Sequence, residues 1–214
     1  MLGAYGVKHI VVCPGSRNAP LVHNFQQAAT SLAFKLHPVT DERSAAFVAV
    51  GIAAQTKTCV AVCVTSGSAV LCCAPAIAEA YYRQLPILII SADRPKEWID
   101  QLDGQTIHQT KALEPYAKCY DIEEAPLDID KQTQQLHQAF GKLLHDRLPI
   151  QINVQISEPL FQFTENSLPT IAAQPIKSPN SLEYCSLPSQ GVALLKDAKH
   201  PLLVMGQTDE DHPE

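Results

Sequence analysis

No stretch of this chain is long and apolar enough to span a bilayer. Runs such as Pro86–Ile90 fall far short of the ~20 residues a spanning helix needs. The N-terminus lacks the basic region, apolar core and cleavage site of an export signal, so a cytoplasmic location is expected. Basic residues are scarce: 16 Lys+Arg stand against 22 Asp+Glu, for a net charge of −6, and they form no runs. That balance argues against a dedicated nucleic-acid binder. No G-x-G-x-x-G follows the first predicted strand, and neither a G-x4-G-K-[ST] loop nor a G-x-S-x-G elbow is present. Dinucleotide, P-loop and hydrolase readings therefore lack their fingerprints. Seven cysteines is an odd number, and Cys13, Cys59, Cys63 and Cys72 sit within apolar runs. They read as reduced core residues acting as small hydrophobes. Cys59-x3-Cys63 and Cys72-Cys73 have no second Cys/His pair at finger-like spacing, so no metal ligands are assigned.

What is present is an α/β pattern in a chain of 214 residues, 46% of them hydrophobic, enough to bury a sizeable core. Short β-branched runs alternate with Ala-rich segments. Strands are predicted at His9–Cys13, Phe34–Val39, Cys59–Thr65, Ile87–Ser91, Lys118–Ile122 and Ile150–Ile156. Helices are predicted over Ala19–Ala29, Ser44–Gln55, Ser68–Gln84 and Asp130–Arg147. The polar stretch Asp93–Glu114 reads as irregular. Repeated strand–helix units joined by short turns predict a doubly wound, mainly parallel six-stranded sheet with helices on both faces. The expected organisation is one domain over 1–160, a Pro/Ser/Asn-rich linker over 161–190, and over 191–214 the start of a truncated second domain. There, Gly191–Lys199 reads as a helix and Pro201–Met205 as a strand.

In open α/β sheets, ligands bind beyond the carboxyl ends of the strands, at helix N-termini. The first such junction holds Pro14-Gly15-Ser16-Arg17-Asn18. Two readings stand equal there: a carboxylate clamp using Arg17, or Ser16 as a helix cap with Arg17 solvated. The second junction is Asp41-Glu42-Arg43, where acidic residues also suit the helix dipole. The segment that follows, Ser44–Ala54, has almost no polar face, so that helix is expected to be buried on most sides and Glu42 partly desolvated. Such carboxyl groups serve in proton relay. The third junction, Thr65-Ser66-Gly67-Ser68, allows close backbone approach to a ligand, or is an ordinary glycine turn. The fourth, Ala92-Asp93-Arg94-Pro95, adds a second arginine, and Asp103-Gly104-Gln105-Thr106-Ile107-His108-Gln109 supplies amide and imidazole groups. Two arginines at one edge suggest an anionic ligand bearing carboxylates.

Five segments in order carry a family resemblance: Cys13–Leu21, Asp41-Glu42-Arg43, Val64–Ala69, Ser91-Ala92-Asp93-Arg94-Pro95 and Asp103–Ile107. From about Val7 to Pro159 the chain resembles the N-terminal, pyrimidine-binding domain of the menaquinone-pathway thiamine-diphosphate enzymes, the 2-succinyl-5-enolpyruvyl-6-hydroxy-3-cyclohexene-1-carboxylate synthase family. That resemblance implies a transferase that decarboxylates 2-oxoglutarate on thiamine diphosphate and adds the succinyl carbanion equivalent to isochorismate. It implies Glu42 as the catalytic glutamate that hydrogen-bonds the aminopyrimidine and promotes its imino tautomer, with Pro14 and Ser66 beside the cofactor. It further implies Ser16, Arg17, Arg94 and Gln105 around the substrates. His108 and Gly104 stand where relatives often carry Arg and Asn, so neither is given a role. The family binds Mg2+ (or Mn2+) through Gly-Asp-Gly…Asn in another domain, a motif lacking here. The resemblance also implies a homodimer or homotetramer, with this part inactive alone. Alternatives are the pyrimidine domain of a related 2-oxo-acid decarboxylase or acetohydroxyacid-synthase-like enzyme, or a non-catalytic binding module.

Overall fold

A computed structural model describes residues 1–124, 128–163, 171–176 and 189–202. The chain divides into two units, Met1–Lys177 and Ser178–Glu214. In the first, six strands form one sheet: β1 (His9–Val12), β2 (Lys35–Pro38), β3 (Val60–Val64), β4 (Ile87–Asp93), β5 (Lys118–Ile122) and β6 (Ile150–Gln155). Their order is β2-β1-β3-β4-β6-β5 and every pairing is parallel. The doubly wound α/β fold predicted from the strand–helix alternation is therefore present, and the sheet is wholly rather than mainly parallel.

Period-two alternation sorts the core into two layers. Val60, Val62 and Val64 of β3 face α2 (Glu42–Thr56), α3 (Ser68–Cys72) and α4 (Ala74–Tyr82). Ala61 and Cys63 face the other side, where Phe25 and Ala28 of α1 (Ala19–Ala29) and Phe140 and Leu143 of α5 (Ile129–His145) close the layer. Helix α2 starts where Asp41 accepts a 2.8 Å hydrogen bond from the Ser44 N–H, and it ends at left-handed Lys57 (φ 54°).

Three expectations need correction. The helix predicted over Ser68–Gln84 is two, broken at Cys73, because Pro75 lacks the N–H needed to bond Leu71 and its ring crowds that carbonyl. Helix α2 is not buried on most sides: Phe47 is 44% and Val48 41% exposed, since the sheet and α4 cover only the opposite face. Cys72 is exposed and Cys73 takes the core position. All six described cysteines are free, and no group of His, Cys, Asp or Glu able to hold a metal ion occurs among the described residues. Because β6 lies between β4 and β5, Gln151 and Asn153 are fully buried. No described helix is long and apolar enough to cross a membrane.

In the second unit the described residues form α6 (Ser189–Asp197), two residues earlier than expected, with Val192, Leu194 and Leu195 exposed. Pro201 and Leu202 are not in a strand, and the rest of the predicted strand, like most of the predicted linker, lies outside the described residues.

Candidate active site at the carboxyl edge of the sheet

The strand ends bring the first and third junctions into contact. A Cβ on Gly15 would lie 2.6 Å from the Thr65 Cβ, so only glycine lets these backbones meet. Pro14 and Ser16 are exposed. Of the two readings of the next residues, the Ser16 cap with a solvated Arg17 does not hold. The cap position of α1 belongs to Asn18, whose side chain makes no capping bond and instead donates to the Cys13 carbonyl at 2.8 Å. Arg17 is only 5% exposed. Its Nη1 donates to the Ile156 carbonyl at 3.0 Å, its Nη2 pairs with Glu158 at 3.2 Å, and Trp98 stacks 5.6 Å away. Arg17 Nε and Asn18 Oδ1 are buried without partners.

At the second junction Glu42 opens α2, half-buried. Its carboxyl has no hydrogen bond or ion pair among the described residues, in contrast to the neighbouring Asp41. Two bonds from Ser44 hold the Asp41 carboxyl below its usual value. Glu42 sits close enough to act on two thiols. Burial pushes Cys13 up to about 12, with Glu42 and then Asp41 adding to it. Cys73 is raised by burial too, with Cys13 and then Glu42 adding, and its thiol donates to the Glu42 carbonyl at 3.9 Å.

The third and fourth junctions form one cluster. Arg94 Nη1 donates to the buried Ser66 hydroxyl at 2.5 Å and to the Gln105 carbonyl at 3.2 Å, while its Nε meets Asp103 at 2.5 Å. The Thr106 hydroxyl, then Arg94, holds the Asp103 carboxyl low. Gly67 adopts φ +82°, and a Cβ there would lie 2.9 Å from the Gln105 carbonyl oxygen. The structure thus gathers Ser66, Arg94 and the Gln105 backbone, whereas the Gln105 side chain is exposed and unbonded among the described residues. The Arg17 guanidinium is taken up by the Ile156 carbonyl and Glu158 rather than by that cluster, and Glu42 bonds to neither arginine among the described residues. His108 forms an exposed pair with Asp100 at 3.0 Å.

Sequence reasoning named Gln109 only as part of a polar loop and missed the buried network behind this edge. Gln109, Asn153, Ser91 and Gln151 join Asp93 and Asp121 in one network. The available signal was Gln151 and Asn153 alternating through a strand flanked by apolar neighbours. It also missed Trp98 and Glu158 as the seat of Arg17.

A parallel sheet with a glutamate that has no partner among the described residues at one helix start, and a serine–arginine cluster two and three strands away, defines a cofactor-binding α/β domain. The thiamine pyrophosphate enzyme family, through its N-terminal TPP binding domain, matches residues 1–113, and the chain belongs to that family. Its curated relatives include 2-succinyl-5-enolpyruvyl-6-hydroxy-3-cyclohexene-1-carboxylate synthases. That of Bacteroides fragilis is 48% identical over 175 residues, 80% of this chain and 31% of the relative. That of Bacteroides thetaiotaomicron is 41% identical over 176 residues, again 80% and 31%. That of Desulfotalea psychrophila is 36% identical over 211 residues, 95% of this chain and 38% of the relative. The resemblance seen in the sequence motifs thus holds across most of the chain, which spans about a third of the length of these relatives. Among solved structures, benzoylformate decarboxylase from Polynucleobacter necessarius superposes with a TM-score of 0.63 at 18% identity, over 83% of this chain and 32% of that one, a likeness of fold.

Proposed function

We propose that this chain is the pyrimidine-binding part of a thiamine-diphosphate-dependent synthase of menaquinone biosynthesis, one that decarboxylates 2-oxoglutarate and joins the resulting four-carbon unit to isochorismate. The carrying observation is Glu42: a carboxyl without a partner among the described residues, fixed at the first turn of α2. That donor set fits an aminopyrimidine ring, which needs a carboxyl free to share a proton with a ring nitrogen. When bound, thiamine diphosphate supplies the electron sink for breaking and forming carbon–carbon bonds next to a 2-oxo group. Glu42 holds the ring and exchanges a proton through a carboxyl oxygen, and Pro14 and Ser66 line the ring's seat.

Arg94 offers charge to the substrate carboxylates, with Ser16, Arg17 and Gln105 completing their site. Arg17 enters this role oriented by Glu158, not as a free fork. The open Phe47–Val48 face of α2 supports a site completed by a second subunit, in a cytoplasmic homodimer or homotetramer. The divalent ion, Mg2+ or Mn2+, is bound by a Gly-Asp-Gly…Asn segment that these 214 residues do not contain. We assign 1–160 to the pyrimidine domain, 161–190 to a linker and 191–214 to the beginning of a second domain.

Glu42→Gln, introduced into the full-length protein, tests the reading. Turnover should fall by about 100-fold or more, because a positioned acid–base group contributes at least that much. The urea midpoint should stay put, since the carboxyl makes no bond that the fold needs. Turnover near the wild-type rate would sink the assignment.

A further inference from the structure

Behind the Ser66–Arg94 cluster lies a side chain that touches no proposed ligand. Gln109 is 0% exposed, and its amide spans three strand ends. The Gly67 N–H donates to its Oε1 at 2.9 Å. Its Nε2 donates to the Ala92 carbonyl at 2.9 Å and to Asn153 Oδ1 at 2.7 Å. Every hydrogen of the amide is used, and the direction of each bond is fixed from further back. Asn153 Nδ2 donates to Asp93 at 2.8 Å and to Asp121 at 2.9 Å, so two carboxylates dictate which end of Asn153 faces them. Its Oδ1 is then left to accept from Gln109 and from the Ser91 hydroxyl, which itself accepts from Gln151 at 2.9 Å. Turning the Gln109 amide over would set NH2 against the Gly67 N–H and oxygen against two acceptors.

The consequence falls on the loop that carries the proposed substrate residues. Between β4 and β5 the chain runs irregularly, with one 3-10 turn at Lys96–Trp98. Such a stretch has little order of its own. It is pinned at one end by β4 and in its middle by Gln109, and Gln105 lies between those points. Through Gly67 the same amide fixes the turn that holds Ser66, the hydroxyl to which Arg94 donates. We infer that Gln109 is a positioning residue: its buried amide sets the geometry of the Ser66 turn that anchors Arg94 and of the loop bearing Gln105, and so aims the two side chains that receive the substrate carboxylates. This rests on the function proposed above.

The experiment uses the full-length protein carrying Gln109→Leu, which keeps the bulk of the side chain and removes its bonds. Hydrogen exchange should quicken about tenfold or more at residues 66–68 and 103–108, as buried donors lose their partner, with β1 and β3 protected as in the wild type. The KM of a substrate carboxylate should rise about tenfold while kcat changes much less. Should that variant fail to fold, Gln109→Glu serves: it keeps an acceptor for the Gly67 N–H, loses the paired donors, and should show the same local pattern. Unchanged exchange at both segments, a uniform acceleration across the sheet, or a fall in kcat at constant KM would each overturn the proposal. A wild-type protein without synthase activity would defeat the proposed function alone, because the exchange measurement still decides whether Gln109 holds the cluster.

Discussion

Arg17 shows how far a residue's role depends on where its charge is spent. The guanidinium is almost wholly buried, yet its ionic partner Glu158 is 60% exposed. An ion pair with one wet member contributes little, so Glu158→Gln should cost about 1 kcal/mol or less, the amide oxygen still accepting from Nη2. Arg17→Ala should cost about 3 kcal/mol, because it strips the Ile156 carbonyl of its donor and empties the space beside Trp98. Urea unfolding of the two variants measures the difference; equal losses would mean that the charge pair, not burial, seats the arginine. From sequence, Arg17 was legible as an arginine at a strand end and no more. Its partners lie 139 and 141 residues away, and no local pattern carries such a pairing.

At the scale of elements, two glycines that look alike in sequence should respond oppositely. Gly51 lies in the middle of α2 with nothing within 4 Å of an added Cβ, so Gly51→Ala should stabilise by about 1 kcal/mol through helix propensity. Gly67 stands at φ +82°, facing the Gln105 backbone, so Gly67→Ala should cost about 2 kcal/mol or more and loosen the Ser66 turn. Thermal unfolding of the pair checks both signs, and a destabilised Gly51→Ala would show that α2 needs its bare surface there. The elements themselves were largely readable. Helix α1 and strand β5 have the predicted limits, because a proline near one start and short apolar runs punctuate the chain locally. The α3–α4 break at Pro75 and the Phe47–Val48 face of α2 were not, since uniformly apolar segments carry no phase to say which side is covered. Nor does the chain say where β6 inserts, which is what turns Gln151 and Asn153 inward.

Across the whole molecule, carboxyl groups carry opposite linkage to pH. Burial pushes the Asp93 carboxyl up, with Asp121 adding, against the pull of Asn153 and the Arg94 N–H. Four others are held low: Asp41 by Ser44, Asp103 by Thr106 and Arg94, Glu123 by Lys96, and Asp146 by His145 and Lys142. A lowered carboxyl stabilises the fold above its unfolded value, and that contribution is lost as pH falls through the folded one. A raised carboxyl takes its proton more readily folded than unfolded. Its ionised form therefore costs stability at neutral pH, and the cost is relieved as pH falls through the raised value. Asp93 should thus offset acid loss between neutrality and the ordinary aspartate value of 3.8, and below that value the four lowered groups should dominate. Asp93→Asn isolates this contribution. Whatever its amide loses by facing a donor is constant with pH and drops out of the slope. The stability of the wild type relative to the variant, from urea midpoints, should grow as pH falls from neutrality towards about 4. Parallel profiles would mean that Asp93 titrates alike in the folded and unfolded chain, and that the Asn153 and Arg94 bonds fully compensate its burial.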